Sequence, residues 1–174
     1  MKILFLTGLY SKDAERYYSS ILKHGALANP SNVYQWGVVK GMLENNMDFE
    51  VCSFPFLPTY PSGLKIKQTL QDDLTFDGKV IGKSYRYSTI VGIKELDIVC
   101  KLKTILHKWA KNCEELGGGV ILIYSLYGPF LKAAVDCAKV YERFKSVASK
   151  KPVSNKELDA IVAATALQVT PAYK

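Results

Sequence analysis

Residues 2–7 read KILFLT, an apolar run with no interruption between Lys2 and Thr7, and Gly8 ends it at once. A strand with one wet face alternates apolar and polar side chains. An unbroken apolar run belongs to a strand covered on both faces, the pattern of a central parallel strand. Parallel neighbours need crossover connections, usually helices that cover those faces. This short run therefore commits the chain to an α/β architecture. Residues 120–125 (VILIYS) repeat the pattern, and residues 49–54 (FEVCSF) supply a further strand. The start, MKILFLTG, has one Lys before its apolar stretch. Thr7-Gly8 breaks that stretch and no small-residue cleavage site follows, so it reads as a first strand rather than a leader. A cytoplasmic chain is expected.

Between the strands lie amphipathic segments. Asn29-Pro30-Ser31-Asn32 is a helix-start signal, with Pro suited to a first turn. The helix is expected to run to about Asn45, with Val33, Trp36, Val39 and Leu43 on one face. Leu9 to Pro30 reads as a long loop. Pro55, Pro58 and Pro61 force a turn-rich stretch after the second strand. Within the ambiguous residues 62–93, Lys79–Ile81 and Tyr85–Ile93 look like short strands. Lys94 to Lys111 is the clearest helix, since Ile98, Leu102, Ile105 and Trp109 step by four, three and four. The triple glycine 117–119 precedes a strand and reads as a turn. Gly128-Pro129 opens another helix, with Phe130, Ala134, Cys137, Tyr141 and Phe144 on one face. The expected fold is α/β and Rossmann-like, with a mainly parallel sheet, flanking helices and a helical tail. In such sheets ligands bind beyond the carboxyl ends of the strands, which here means Gly8–Tyr10, Pro55–Tyr60 and Tyr124–Gly128.

A chain of 174 residues holds one good core and is too short for two full α/β domains. Cys52, Cys100, Cys113 and Cys137 include no CxxC pair, and only His24 and His107 are present, so neither a zinc site nor a disulfide framework is expected. Asp72-Asp73 and Asp77 read as solvated acids rather than cation ligands. The net charge of +7 is either a solvated lysine face or an attraction to anionic membrane surfaces and phosphorylated ligands. A peripheral membrane location is the functional form of that reading. No compact basic-aromatic motif points to nucleic acid. No GxGxxG follows the first strand and no GxxxxGK[ST] occurs, which argues against a dinucleotide oxidoreductase and a P-loop NTPase.

MKILFLTG, then NPSNVYQWGVVKGMLENNMDFEVCSFP, then GVILIYSLYGPFLKAAVDCAKVY together resemble the N-terminal, acceptor-side domain of a retaining GT-B glycosyltransferase, over about residues 1–141. In that family the N-terminal domain holds the acceptor, a second domain holds the nucleotide sugar, and transfer occurs in the cleft between them. The resemblance implies substrate-binding roles for Gly8, Asn32, Gln35, Tyr124, Ser125 and Tyr127. Glycine lets backbone approach a ligand, and amides and hydroxyls hydrogen-bond sugar or phosphate oxygens. Helix starts at Asn32 and Pro129 add positive potential. The plain alternatives are a helix cap at Asn32, a surface amide at Gln35 and packing at Tyr127. The implied partner is a sugar or lipid-linked acceptor, with a nucleotide sugar only where a donor domain is supplied. No cofactor or metal is implied, and no catalytic residue is assigned. The donor side of the family carries two glutamates separated by seven residues. The glutamates here, at 15, 44, 50, 95, 114, 115, 142 and 157, include no such pair. A chain that ends before the donor half, and is inactive alone, is therefore expected.

Residues 142–174 differ in character. Their FK–SVASKK–VSNKELDAIV pattern and closing PAYK resemble a segment of 2-isopropylmalate synthase, which implies a fusion of two gene fragments. Ser154-Asn155-Lys156-Glu157 is a capping box opening a helix with Leu158, Ile161, Val162 and Thr165 on one face. An unrelated helical tail is the alternative. The other overall reading is a non-catalytic Rossmann-like interaction domain.

Overall fold

The computed structural model describes residues 2–25, 27, 29–115 and 119–140. In chain order these form β1 (Lys2–Thr7), α1 (Lys12–Ile21), α2 (Asn29–Glu44), β2 (Phe49–Ser53), β3 (Asp72–Phe76), β4 (Lys79–Ser84), α3 (Lys94–Glu115), β5 (Gly119–Ile123) and α4 (Gly128–Val140). One five-stranded sheet runs β3-β4-β2-β1-β5. β1 pairs in parallel with β2 on one side and β5 on the other, and β2 pairs in parallel with β4. The expected parallel core of residues 2–7, 49–54 and 120–125 is therefore present. β3 alone is antiparallel, turning back through Asp77-Gly78, both at positive φ (48° and 77°). That two-residue turn matches the twist of a hairpin and favours a residue without Cβ at its second position.

Alternation along β1 sends neighbouring side chains to opposite faces. Leu4 and Leu6 join Cys52, Phe54, Ile98, Leu102, Leu106, Phe130 and Ala133 in the core under α3 and α4. Phe5 points the other way, to Val38, Val39, Met42, Val51, Leu74 and Ile81 under α2. Each such side chain taken from water contributes about 1.5–3 kcal/mol, so the strand with two covered faces anchors both layers. An ion pair between Lys103 and Asp136 at 2.7 Å links α3 to α4. A third cluster of Tyr10, Ala14, Tyr18, Leu57 and Leu64 seats α1 on the loop after β2.

Three local expectations are corrected. Leu9–Pro30 is not a loop throughout, because α1 occupies Lys12–Ile21. Ser11 caps it by accepting from the Ala14 N–H, and Ala14 and Tyr18, four apart, are its buried side. The apolar stripe expected on α2 holds at Trp36, Val39 and Leu43, which lie in or against the core, and fails at Val33. Val33 is 63% exposed, whereas Asn32 and Gln35, at 5% and 1%, share the buried face with Val39 and Met42. The reason is the backbone after β1, whose polar groups need partners there. Tyr85–Ile93 is not a strand. It pairs only through isolated bridges, Ser88 with Gln68 and Ile90 with Tyr60, while the residues ahead of it form the β3–β4 hairpin. Asp72 and Asp73 thus sit in a strand, Asp72 accepting from the Ser11 hydroxyl at 2.8 Å and Asp73 pairing with Lys83 at 3.8 Å.

The long helix α3 and the helix opened by Gly128-Pro129 are as expected, and Gly119 begins β5. The four cysteines are free, and Cys52, Cys113 and Cys137 are buried. Burial raises the thiol pKa of all three, so they behave as small hydrophobes. The readings for Tyr141, Phe144 and residues 142–174 lie outside the described residues. Among the described residues, no helix is long and apolar enough to cross a membrane.

Candidate functional site

Consecutive crossovers leave β1 in opposite directions. From β1 the chain moves to β2, whereas β5, on its other side, is reached only after β4 and α3. Where the order reverses, the loops at the carboxyl ends of two neighbouring strands diverge and leave a crevice between them. By that rule the crevice belongs at Thr7–Tyr10 and Tyr124–Tyr127, beside the first turns of α2 and α4.

The wall on the α2 side is built by two amides. Gln35 Oε1 accepts from the Thr7 hydroxyl and from the Gly8 N–H at 2.8 Å, and its Nε2 donates to the Ser31 carbonyl at 3.0 Å. Asn32 Oδ1 accepts from the Tyr10 N–H at 3.1 Å, and its Nδ2 donates to the Tyr10 carbonyl at 3.3 Å. Trp36 Nε1 donates to the same carbonyl at 3.2 Å. These buried side chains stand in for the strand partner that the chain lacks once β1 has ended, and each bond matters because an unpaired buried amide costs about 1–3 kcal/mol. Asn32 is the fourth residue of α2, inside the helix rather than at its cap.

The floor is Phe56, from the loop after β2. A Cβ on Gly8 would lie 2.3 Å from the Phe56 ring, so glycine is needed at residue 8 to admit that ring. Phe56 stacks on Tyr124 with centroids 6.5 Å apart and meets Tyr127 edge-on at 5.4 Å. Tyr124 extends the β5–β1 pairing by donating its N–H to the Leu6 carbonyl at 3.0 Å. Its hydroxyl lies 3.1 Å from Ser31 Oγ, and its ring is 5.8 Å from that of Tyr34. Ser125 follows, half-buried. Tyr127 accepts the first N–H bonds of α4, from Phe130 and Leu131, on its carbonyl. Its hydroxyl is buried and has no hydrogen-bond partner among the described residues. Burial, with the charge of Glu95 adding, pushes its pKa up to about 12, so it stands as a neutral donor. Lys94, opening α3 at the same end, donates to the Leu57 carbonyl at 2.6 Å, and burial lowers its pKa.

Five of the six residues expected from sequence thus gather here through stated contacts, and Ser125 adjoins them in the chain. Gly8, Asn32 and Gln35 are engaged by the protein itself, whereas the Tyr124 hydroxyl meets Ser31 Oγ and the Tyr127 hydroxyl is buried beside Phe56 without a partner among the described residues. Phe56, which touches Gly8, Tyr124 and Tyr127, was not foreseen. An aromatic in a proline-rich loop has no periodicity to mark it, and the strand-end rule alone reaches its segment. An open groove of about 720 Å³, which shares Asn32 and Trp36 with this wall, runs between α1, α2 and the β3–β4 turn and is lined by Ser11 and Phe76 among others. Ser11 is already engaged there by Ala14 and Asp72. Comparison of the chain with family models, with curated proteins and with solved structures finds no match.

Proposed function

We propose that this chain is the acceptor-binding half of a glycosyltransferase that uses a nucleotide sugar, with the acceptor held in the crevice between the ends of β1 and β5. The observation that carries the reading is the Tyr127 hydroxyl, a buried neutral donor left without a partner beside an aromatic floor. An acceptor hydroxyl or phosphate oxygen supplies the missing partner, and the faces of Phe56 and Tyr124 supply apolar contact to a ring. The Ser31–Tyr124 hydroxyl pair adds a second polar point across the crevice. The α4 N-terminus beside Tyr127 favours a ligand with negative charge. Transfer needs a donor sugar held by a partner domain, so the chain alone binds and does not turn over.

Saturation-transfer NMR of the purified chain against methyl glycosides and short polyprenyl phosphates tests the binding. Transfer to at least one ligand, weakened in Tyr127→Phe and Tyr124→Ala, is expected. No transfer to any of them, or transfer untouched by both substitutions, contradicts the reading. Release of nucleoside diphosphate from a nucleotide sugar by the chain alone contradicts the claim that it does not turn over.

A second reading, a non-catalytic Rossmann-like interaction domain, is favoured by one observation: the amides of Asn32 and Gln35 are committed to the chain's own backbone. It predicts no small-molecule binding at the crevice.

A further inference from the structure

The connection from β4 into α3 carries an apolar tip that neither core uses. Val91, Ile93 and Leu96 are 61%, 49% and 66% exposed within six residues of chain. Isolated exposed aliphatics are ordinary, but three on one turn and helix start form a patch that soluble surfaces seldom keep without use. The tip is held firmly. The Tyr60 N–H donates to the Thr89 carbonyl at 2.8 Å, and the Thr89 N–H donates to the Lys67 carbonyl at 2.9 Å, which ties the loop after β2 against it. The Ser88 N–H donates to Asp97 at 2.6 Å, which ties it to the first turns of α3.

The segments those contacts join carry exposed cations. Lys67 lies over the Tyr60 ring, 5.7 Å from its centroid, with its residue exposed. Arg86 is exposed, and Lys101 donates to its carbonyl at 2.8 Å. Asp97, the acid in this network, is neutralised by Lys101 at 2.9 Å, and Glu95 is the one other acid in the first turn of α3. The whole chain carries +7.

Exposed aliphatic side chains with cations on the flanking segments match the layered chemistry of an anionic bilayer surface, where acyl chains lie beneath negative headgroups. We infer that the 91–96 tip, with Lys67 and Arg86 on the segments that flank it, is a docking surface for anionic lipid. This does not rest on the glycosyltransferase reading, since none of Val91, Ile93, Leu96, Lys67 and Arg86 belongs to the crevice.

The test is co-sedimentation of the full chain with vesicles of phosphatidylcholine alone, and with phosphatidylglycerol at roughly one third of the lipid. Binding to the anionic vesicles only is expected. The double variant Ile93→Ser/Leu96→Ser should weaken it roughly ten-fold, since both side chains are already in water and the fold does not need them. Lys67→Gln and Arg86→Gln should each weaken it about five-fold. Val135→Ser and Lys108→Gln, on exposed helix surface elsewhere, should leave it unchanged. Equal binding to neutral vesicles, or no binding to either, overturns the inference. So does anionic binding that the tip variants leave intact, or self-association in sedimentation velocity that Ile93→Ser/Leu96→Ser abolishes while vesicle binding is absent.

Discussion

Two residues decide how the crevice is made. Gly8 is a packing glycine: its missing Cβ leaves room for the Phe56 ring. Gly8→Ala forces the ring or the strand end to move and should cost about 1–3 kcal/mol, the range for overpacking a filled site. Adding Phe56→Leu should recover part of that loss, as read from urea midpoints of the single and double variants. Tyr127 is the opposite case, a side chain whose polar end finds nothing in the protein. Tyr127→Phe should therefore leave stability unchanged or raise it by up to about 1 kcal/mol, because the hydroxyl is desolvated without compensation. A clear loss of stability would mean that the hydroxyl is engaged structurally. The same burial predicts a pH effect. Tyr18, Tyr85 and Tyr127 are pushed up to about 12 in the fold, whereas tyrosines of the unfolded chain ionise near 10. The unfolded chain therefore loses these protons first. Stability should be intact below about pH 10 and fall as the pH rises toward 12, less steeply in Tyr127→Phe. Urea midpoints at about pH 9 and pH 11 would show it, and equal midpoints would contradict it.

At the scale of elements, legibility followed how cleanly one class of residue filled one face. β1 and α3 were readable because their buried positions are almost all apolar, and β5 was readable from its apolar run although it is an edge strand with none of its residues fully buried. α1 was missed because only Ala14 and Tyr18 of its ten residues are buried, so its true signal is Ser11 at the cap with Asp13 and Glu15 in the first turn. That assigns a measurable role to the cap. Ser11→Ala removes the acceptor for the Ala14 N–H and the donor to Asp72, and should cost about 0.5–2 kcal/mol, with helical signal lost before the sheet unfolds. α2 was found with Trp36, Val39 and Leu43 on its inner side, but the first turn was misread, because polar Asn32 and Gln35 are buried there and hydropathy sorts them outward. β3 was hidden by its two leading aspartates, which an edge strand tolerates on its open side. The strand-end loops were legible from topology alone, whereas the Phe56 contacts that join them required the fold.

At the scale of the whole molecule, the parallel strands of one sheet bring their carboxyl ends to one side, where Gly8, Phe56, Tyr124 and Tyr127 meet. The crevice between β1 and β5 and the apolar tip before α3 share that end of the sheet, while the β3–β4 turn lies at the other. A ligand bound at the crevice should be felt by the residues after β1 and β5 and not by that turn. Backbone amide chemical-shift mapping of the labelled chain, titrated with a ligand that shows saturation transfer, measures this directly. The account predicts the largest changes at Gly8, Tyr124, Ser125 and Tyr127, with the amides of Asp77 and Gly78 unmoved. Changes centred instead on Ser11, Thr75 and Phe76, or no changes with any ligand, would contradict it.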